Sequence, residues 1–172
     1  IVGLAGNHVP ALLARAKRLG TLPIAGLLVP APYYVRPAQD GIRDHFTRLA
    51  EASAVPLVLY DIPYRSGVTI ALDTLLALAA HPNIAAIKDC AGAVDTTLAL
   101  IRDGGVLINT SRGALVDPDA LTDELVSGRL HAILDVTEPE PLPAGSALYR
   151  LPNVFLTPHI AGSLGNELER LG

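Results

Sequence analysis

Lys88 closes the apolar run Ile84–Lys88, Tyr60 closes the run Pro56–Tyr60, and Arg65 lies in the loop after Tyr60. An amine at the end of a buried strand is taken out of water, and desolvation disfavours its charged form. A neutral amine attacks a ketone carbon and forms an imine. A phenol on the neighbouring strand relays the proton, and a guanidinium grips a carboxylate at two points. These are the parts of a Schiff-base site for a small keto acid. The plainer reading of Lys88 is a side chain that snorkels out at the strand end or pairs with Asp89. A second set sits in the C-terminal half. Arg112 follows the run Val106–Asn109, Glu140 follows Ala132–Val136, and His159 follows Val154–Leu156. An arginine, a carboxylate and an imidazole can clamp a 2-keto acid and deliver a proton during hydride transfer. Taken singly, Arg112 also suits a turn, Glu140 a solvated Pro-Glu-Pro loop, and His159 a hydrogen-bonded loop.

Both sets need strands that end on a common rim. Seven short runs rich in Val, Ile and Leu supply them: Ile1–Gly6, Ala25–Val29, Pro56–Tyr60, Ile84–Lys88, Val106–Asn109, Ala132–Val136 and Val154–Leu156. Their near-continuous apolarity suits parallel strands covered on both faces. Helical spacing fills the gaps, over Ala11–Leu19, Gln39–Ala52, Leu72–Ala80, Val94–Arg102, a helix opened by Asp117-Pro118 and stopped at Gly128, and Ser163–Leu171. The expected fold is α/β, with about seven parallel strands alternating with helices. One winding direction throughout gives the strand order one to seven and a barrel-like sheet, whose gap a dimer would cover. A reversal near the middle gives an open, doubly wound, Rossmann-like sandwich. Asp103-Gly104-Gly105 is too short for a linker, so one continuous sheet in one domain is expected.

Composition narrows the function classes. Half of the 172 residues are apolar and 17% are charged, which is a globular and not a disordered composition. The net charge of −4 gives no footing for nucleic acid or an acidic membrane surface. No run reaches the ~20 residues of a membrane span, and nothing reads as a signal peptide. The single cysteine, Cys90, cannot form an internal disulfide and fits a reducing cytoplasm. No metal cluster is expected. The absence of any methionine, including an initiator, reads as a removed start.

Pro32-Tyr33-Tyr34 with Arg36-Pro37, Leu59-Tyr60-Asp61-Ile62-Pro63 with Arg65-Ser66-Gly67, and Ile87-Lys88-Asp89 make residues 1–101 resemble the dihydrodipicolinate synthase and N-acetylneuraminate lyase family. That family comprises class I aldolase-type TIM barrels. The resemblance implies Lys88 as the Schiff-base lysine for pyruvate, Tyr60 as proton relay, and Arg65 as carboxylate binder. Tyr34 would be the aromatic lent across a subunit contact in a homo-oligomer. No cofactor is implied for this half. Asp61 stands where Asn is more common. The segment corresponds to the third to sixth βα units of the barrel, without the Thr-Thr pair of the earlier strands.

Leu107-Ile-Asn-Thr-Ser-Arg-Gly113, Leu134-Asp-Val-Thr-Glu-Pro-Glu-Pro141 and Leu156-Thr-Pro-His-Ile-Ala-Gly162 make residues 98–172 resemble the D-2-hydroxyacid dehydrogenase family. By that resemblance Arg112 binds the substrate, His159 is the acid/base and Glu140 orients it. Thr110 and Asp135 would lie near the nicotinamide. NAD is the implied cofactor, yet no Gly-x-Gly-x-x-Gly loop exists to hold its pyrophosphate. The whole reads as one domain joined from fragments 1–101 and 102–172, with the crossover within 95–105. The expectation is an engineered chimera without efficient native activity. A residual Schiff-base lyase is the first alternative, and an NAD-dependent oxidoreductase fragment the second. The only partner expected is a pyruvate-like keto acid.

Overall fold

The computed structural model describes residues 1–92 and 100–161. The chain divides into two compact units, Ile1–Gly92 and Ala93–Gly172. The first runs β1 (Val2–Gly3), α1 (Val9–Leu19), β2 (Leu27–Pro30), α2 (Gln39–Ala52), β3 (Leu57–Asp61), a short turn α3 (Pro63–Ser66), α4 (Leu72–Ala79) and β4 (Ile84–Asp89). Its strands are all parallel, in the order β1-β2-β3-β4. A helix fills every connection, as a parallel pair requires.

Each helix buries the stripe its spacing provides. On α1 these are Leu12 and Ala16, and the last turn carries Lys17 and Arg18, which suit the negative end of the helix. On α2 they are Ile42, Phe46, Leu49 and Ala50. Leu27 and Val29 of β2 and Leu57 and Leu59 of β3 are buried as well. The opposite face of the same strands carries Leu28, Pro30, Val58 and Tyr60, which are only half-buried. The continuous apolarity of these runs therefore does not mean equal burial on both faces.

Strand β4 departs from a regular ladder. Leu57 pairs with Ile84, but Val58 pairs with Ala86, so Ala85 is an extra residue. Such a bulge turns every later side chain to the other face. After it Tyr60 pairs with Lys88, and Asp61 pairs with Asp89.

The second unit contains β5 (Val106–Asn109), a 3-10 turn (Gly113–Leu115), α5 (Pro118–Val126), β6 (His131–Leu134), a second 3-10 turn (Ala147–Tyr149) and β7 (Val154–Leu156). The strands are parallel in the order β5-β6-β7. Asp117 caps α5 as its sequence signature predicts, with Oδ1 accepting from the amides of Asp119 at 3.0 Å and Ala120 at 2.8 Å. Leu107, Leu121, Leu125, Leu130, Ala132, Leu134 and Leu148 form the core. Alternate strand residues Val106, Ile108, Ile133 and Phe155 are exposed.

Among the described residues, seven parallel strands alternate with helical segments, in sheets of four and three where one continuous sheet is expected. Periodicity locates strands; it carries no information on which strand each one pairs with. The helix expected over 94–102 lies largely outside the described residues, and that over 163–171 lies wholly outside them. Among the described residues, no helix is long and apolar enough to cross a membrane.

A matching device closes each unit. Asn83, just before β4, donates through Nδ2 to the carbonyls of Ala50 (2.8 Å), Ser53 (2.9 Å) and Val55 (3.3 Å). Its own carbonyl accepts from the Leu57 amide at 2.9 Å. Asn153, just before β7, donates to Leu125 (2.9 Å) and Leu130 (2.7 Å), and its carbonyl accepts from Ala132 at 2.9 Å. Both follow a proline, in Pro82-Asn83 and Pro152-Asn153. Asn83→Ala and Asn153→Ala each leave carbonyls unpaired, so each is expected to cost about 1–3 kcal/mol in denaturant unfolding. A loss within experimental error in both variants refutes the assignment.

Candidate functional site

In the first unit, the bulge sets the site. Lys88 Nζ lies 4.8 Å from the centroid of the Tyr60 ring, on adjacent strands in register. Lys88 is exposed and not enclosed as the apolar run suggests, because the bulge turns it away from the helix-packed face. Tyr60 is half-buried beside it.

Arg65 stands on α3, which a buried serine shapes. Ser66 Oγ donates to the carbonyl of Val68 at 2.8 Å and lies 3.1 Å from that of Ile62. Gly67 follows at φ +76°, and its amide donates to Pro63 O at 2.8 Å. The positive φ favours glycine here, and a Cβ would also sit 2.8 Å from Arg36 Nε, which would have to move. The facing loop holds Tyr34 at φ +70° and Arg36 at φ +45°. Left-handed backbone at bulky residues costs on the order of 1–3 kcal/mol each and is concentrated at functional sites. Tyr33, Tyr34, Arg36, Tyr64, Arg65 and Ser66 line a cleft of about 570 Å³ between the two loops. The structure therefore brings Lys88 to Tyr60, and Tyr34 to Arg65. Lys88 and Tyr60 do not line the cleft that Tyr34 and Arg65 share.

Asp61 is the residue whose behaviour its sequence position does not announce. It is 2% exposed, and its Oδ1 has no hydrogen-bond partner among the described residues. Burial pushes its pKa up to about 6; the Ile70 amide on Oδ2 (3.3 Å) opposes this, and the charge of Asp89 adds to it. The folded carboxyl keeps its proton up to about 6, while the unfolded one loses it near 3.8. The folded state thus binds more protons across that window, and stability falls as pH rises through it. His45 works the other way. Burial lowers its pKa, so its protonation in the unfolded chain erodes stability as pH falls below 6.5. Asp61→Asn removes only the first effect. The variant should gain more thermal stability over the parent at pH 7 than at pH 4; an equal difference at both refutes the ionisation account.

In the second unit, His159 Nδ1 and Glu140 Oε1 are 2.8 Å apart, half-exposed, with His159 at φ +55°. Asp135 is buried and accepts from Thr157 Oγ1 (2.5 Å) and the amides of Ile160 (2.8 Å) and Ala161 (2.9 Å). The Thr157 hydroxyl above all, then those two amides, holds its carboxyl below the usual carboxylate range. These three donors make Asp135 an anchor of the loop that carries His159. Thr157 is the missed residue here, and its place in Leu156-Thr-Pro-His was the available signal. Arg112 and Thr110 are exposed beyond β5. Arg112 Nη1 donates to Ser111 O at 2.6 Å, and Asn109 Nδ2 donates to Arg112 O at 2.8 Å. Neither a hydrogen bond nor an ion pair joins Arg112 to Glu140 or His159. A Cβ on Gly113 would collide with the Thr137 carbonyl, so this turn and the Glu138–Pro141 loop close on each other only because residue 113 is glycine.

Residues 6–114 match the sequence model of the dihydrodipicolinate synthetase family. Residues 85–161 match that of the D-isomer specific 2-hydroxyacid dehydrogenase, NAD binding domain, so the two matches overlap over 85–114. The first solved likeness is dihydrodipicolinate synthase of Acinetobacter baumannii complexed with pyruvate, 32% identical over 78% of this chain and 39% of that one, with a TM-score of 0.56. The 4-hydroxy-tetrahydrodipicolinate synthase of Methylacidiphilum fumariolicum SolV gives 30%, 78%, 44% and 0.58. These likenesses define a parallel α/β protein of the TIM-barrel class. 4-Hydroxy-tetrahydrodipicolinate synthase 1 of Streptomyces coelicolor is 51% identical over 49% of this chain and 27% of its own length. Synthase 2 of that organism is 34% identical over 88% and 56%. The chain belongs to the dihydrodipicolinate synthetase family. It spans between about a quarter and just over half of the length of these two curated relatives.

Proposed function

We propose that the chain is a lyase fragment that forms a Schiff base with a small 2-keto acid of the pyruvate type, and that it turns over inefficiently. The observation that carries this is the in-register contact of Lys88 Nζ with the Tyr60 ring at 4.8 Å. The unprotonated amine adds to the keto carbon, and the carbonyl oxygen takes up a proton. Water then leaves as the C=N bond forms, and the Tyr60 hydroxyl supplies and recovers the protons. Arg65 holds a carboxylate, and Tyr34 serves at a contact with a second copy. No cofactor enters these steps. That the chain joins two fragments within a βα unit common to both is part of this proposal, and sequencing the native gene tests that origin.

The sequence has two lysines, Lys17 and Lys88, so the chemistry can be read against an internal control. Borohydride added with pyruvate should attach a reduced pyruvyl group at Lys88 and not at Lys17, by intact mass and peptide mapping. Lys88→Ala should abolish it, and Tyr60→Phe should slow it about a hundredfold. Folded protein that gives no adduct, or equal labelling of Lys17, ends this reading.

The His159–Glu140 pair favours a second reading, in which the second unit retains the proton-handling groups of a 2-hydroxyacid dehydrogenase.

A further inference from the structure

We propose that the second unit binds a short aliphatic primary amine, in a cavity lined by the first turn of α5 and by the chain that links β6 to β7. The cavity measures about 300 Å³, at the lower end of the range for small-ligand pockets. Arg112, Asp135, Glu140 and His159 do not line it, so it is separate from the His159–Glu140 pair. Its apolar lining includes Leu121, Leu134, Val136 and Leu148, all buried. These side chains suit an aliphatic stem, which gains by leaving water.

Charge and hydrogen-bonding capacity decide the head group. The charged residues of the lining are Asp119 and Glu138, and no lysine, arginine or histidine joins them. Neither carboxylate has a hydrogen bond or ion pair with a described residue. Each offers about four acceptor sites. The donors around them are mostly committed. Thr122 Oγ1 donates to Pro118 O at 2.7 Å, and Thr137 Oγ1 donates to Pro139 O at 2.9 Å. Asn109 Nδ2 donates to Arg112 O at 2.8 Å. The first-turn amides of α5 would otherwise attract an anion. Asp117 takes them: those of Asp119 and Ala120 bond its Oδ1, and that of Leu121 bonds its carbonyl. What remains is a space rich in acceptors and poor in donors. A carboxylate ligand meets two like charges there, whereas an ammonium brings three N–H donors and the opposite charge.

Titration of the full chain at neutral pH, followed by backbone amide resonances, tests the proposal with butylamine, 1-butanol and butyrate, which share one stem. Butylamine should bind about tenfold tighter than butanol, and butyrate should not saturate. The resonances that move should include those of Leu121, Leu134, Val136 and Leu148. Ethylamine, two methylenes shorter, should bind about tenfold more weakly than butylamine. Added salt should weaken butylamine and leave butanol unchanged, a readout on the unmodified protein that does not depend on a variant folding. In a double variant, Asp119→Asn with Glu138→Gln, the amine should bind no tighter than the alcohol. Both positions are exposed, so the core is left intact. Equal affinities for the three probes, an amine preference that survives the double variant, or shifts confined to residues outside the cavity overturns the proposal. Butyrate binding tighter than butylamine overturns the cationic class.

Discussion

The placement of one extra residue, Ala85, governs the first unit. A parallel sheet has a side-chain period of two, so an insertion exchanges the faces of everything beyond it. Before the bulge, Ile84 lies with Leu57 on the helix-packed side. After it, Ile87 and Asp89 take up that side beside Leu59 and Asp61, and Lys88 comes out next to Tyr60. In an unbroken ladder Tyr60 would face Ile87. The pairing that sets Lys88 against Tyr60 is thus a consequence of local irregularity. Bulges near sites commonly re-aim a side chain in this way.

Asp61 and Asp135 show how far the surroundings, and not the residue, decide electrostatics. Both stand at the C-terminal end of a strand run, after Leu59-Tyr60 and Ile133-Leu134, and both are almost wholly buried. Asp135 has a hydroxyl and two amides aimed at it, and its charge is welcome. Asp61 has one long bond from an amide and a carboxylate neighbour, and its charge is resisted. The first serves to gather a loop around His159. The second is a stored instability at the end of β3.

Much of this was legible in the chain. The strands Val106–Asn109 and Val154–Leu156, the helix Gln39–Ala52 and the Asp117-Pro118 cap stand where spacing puts them, because each depends on neighbours within one or two turns. The alternation of strand with helix was equally plain. Strand partnership was not, since nothing in an apolar run names its neighbour. Nor was the exposure of Lys88, which depends on a bulge that Ala85-Ala86 does not advertise. The side chain of Arg36 could be read as part of a motif, but its approach to Gly67 is a tertiary fact. Asp61 stood out only as an unusual residue at its position; the energetic meaning comes from the donors it lacks.

The two Pro-Asn clamps bear on the order in which the chain is assembled. Asn83 ties carbonyls 28 to 33 residues behind it, and Asn153 ties those 23 and 28 behind. Neither amide needs anything downstream. As the polypeptide leaves the ribosome, each asparagine arrives when the helix and strand it fastens are already complete. The clamp acts as a latch that drops as the next strand begins, so the first four strands can settle before the second set is translated. Each clamp therefore fastens only segments that precede it in the chain.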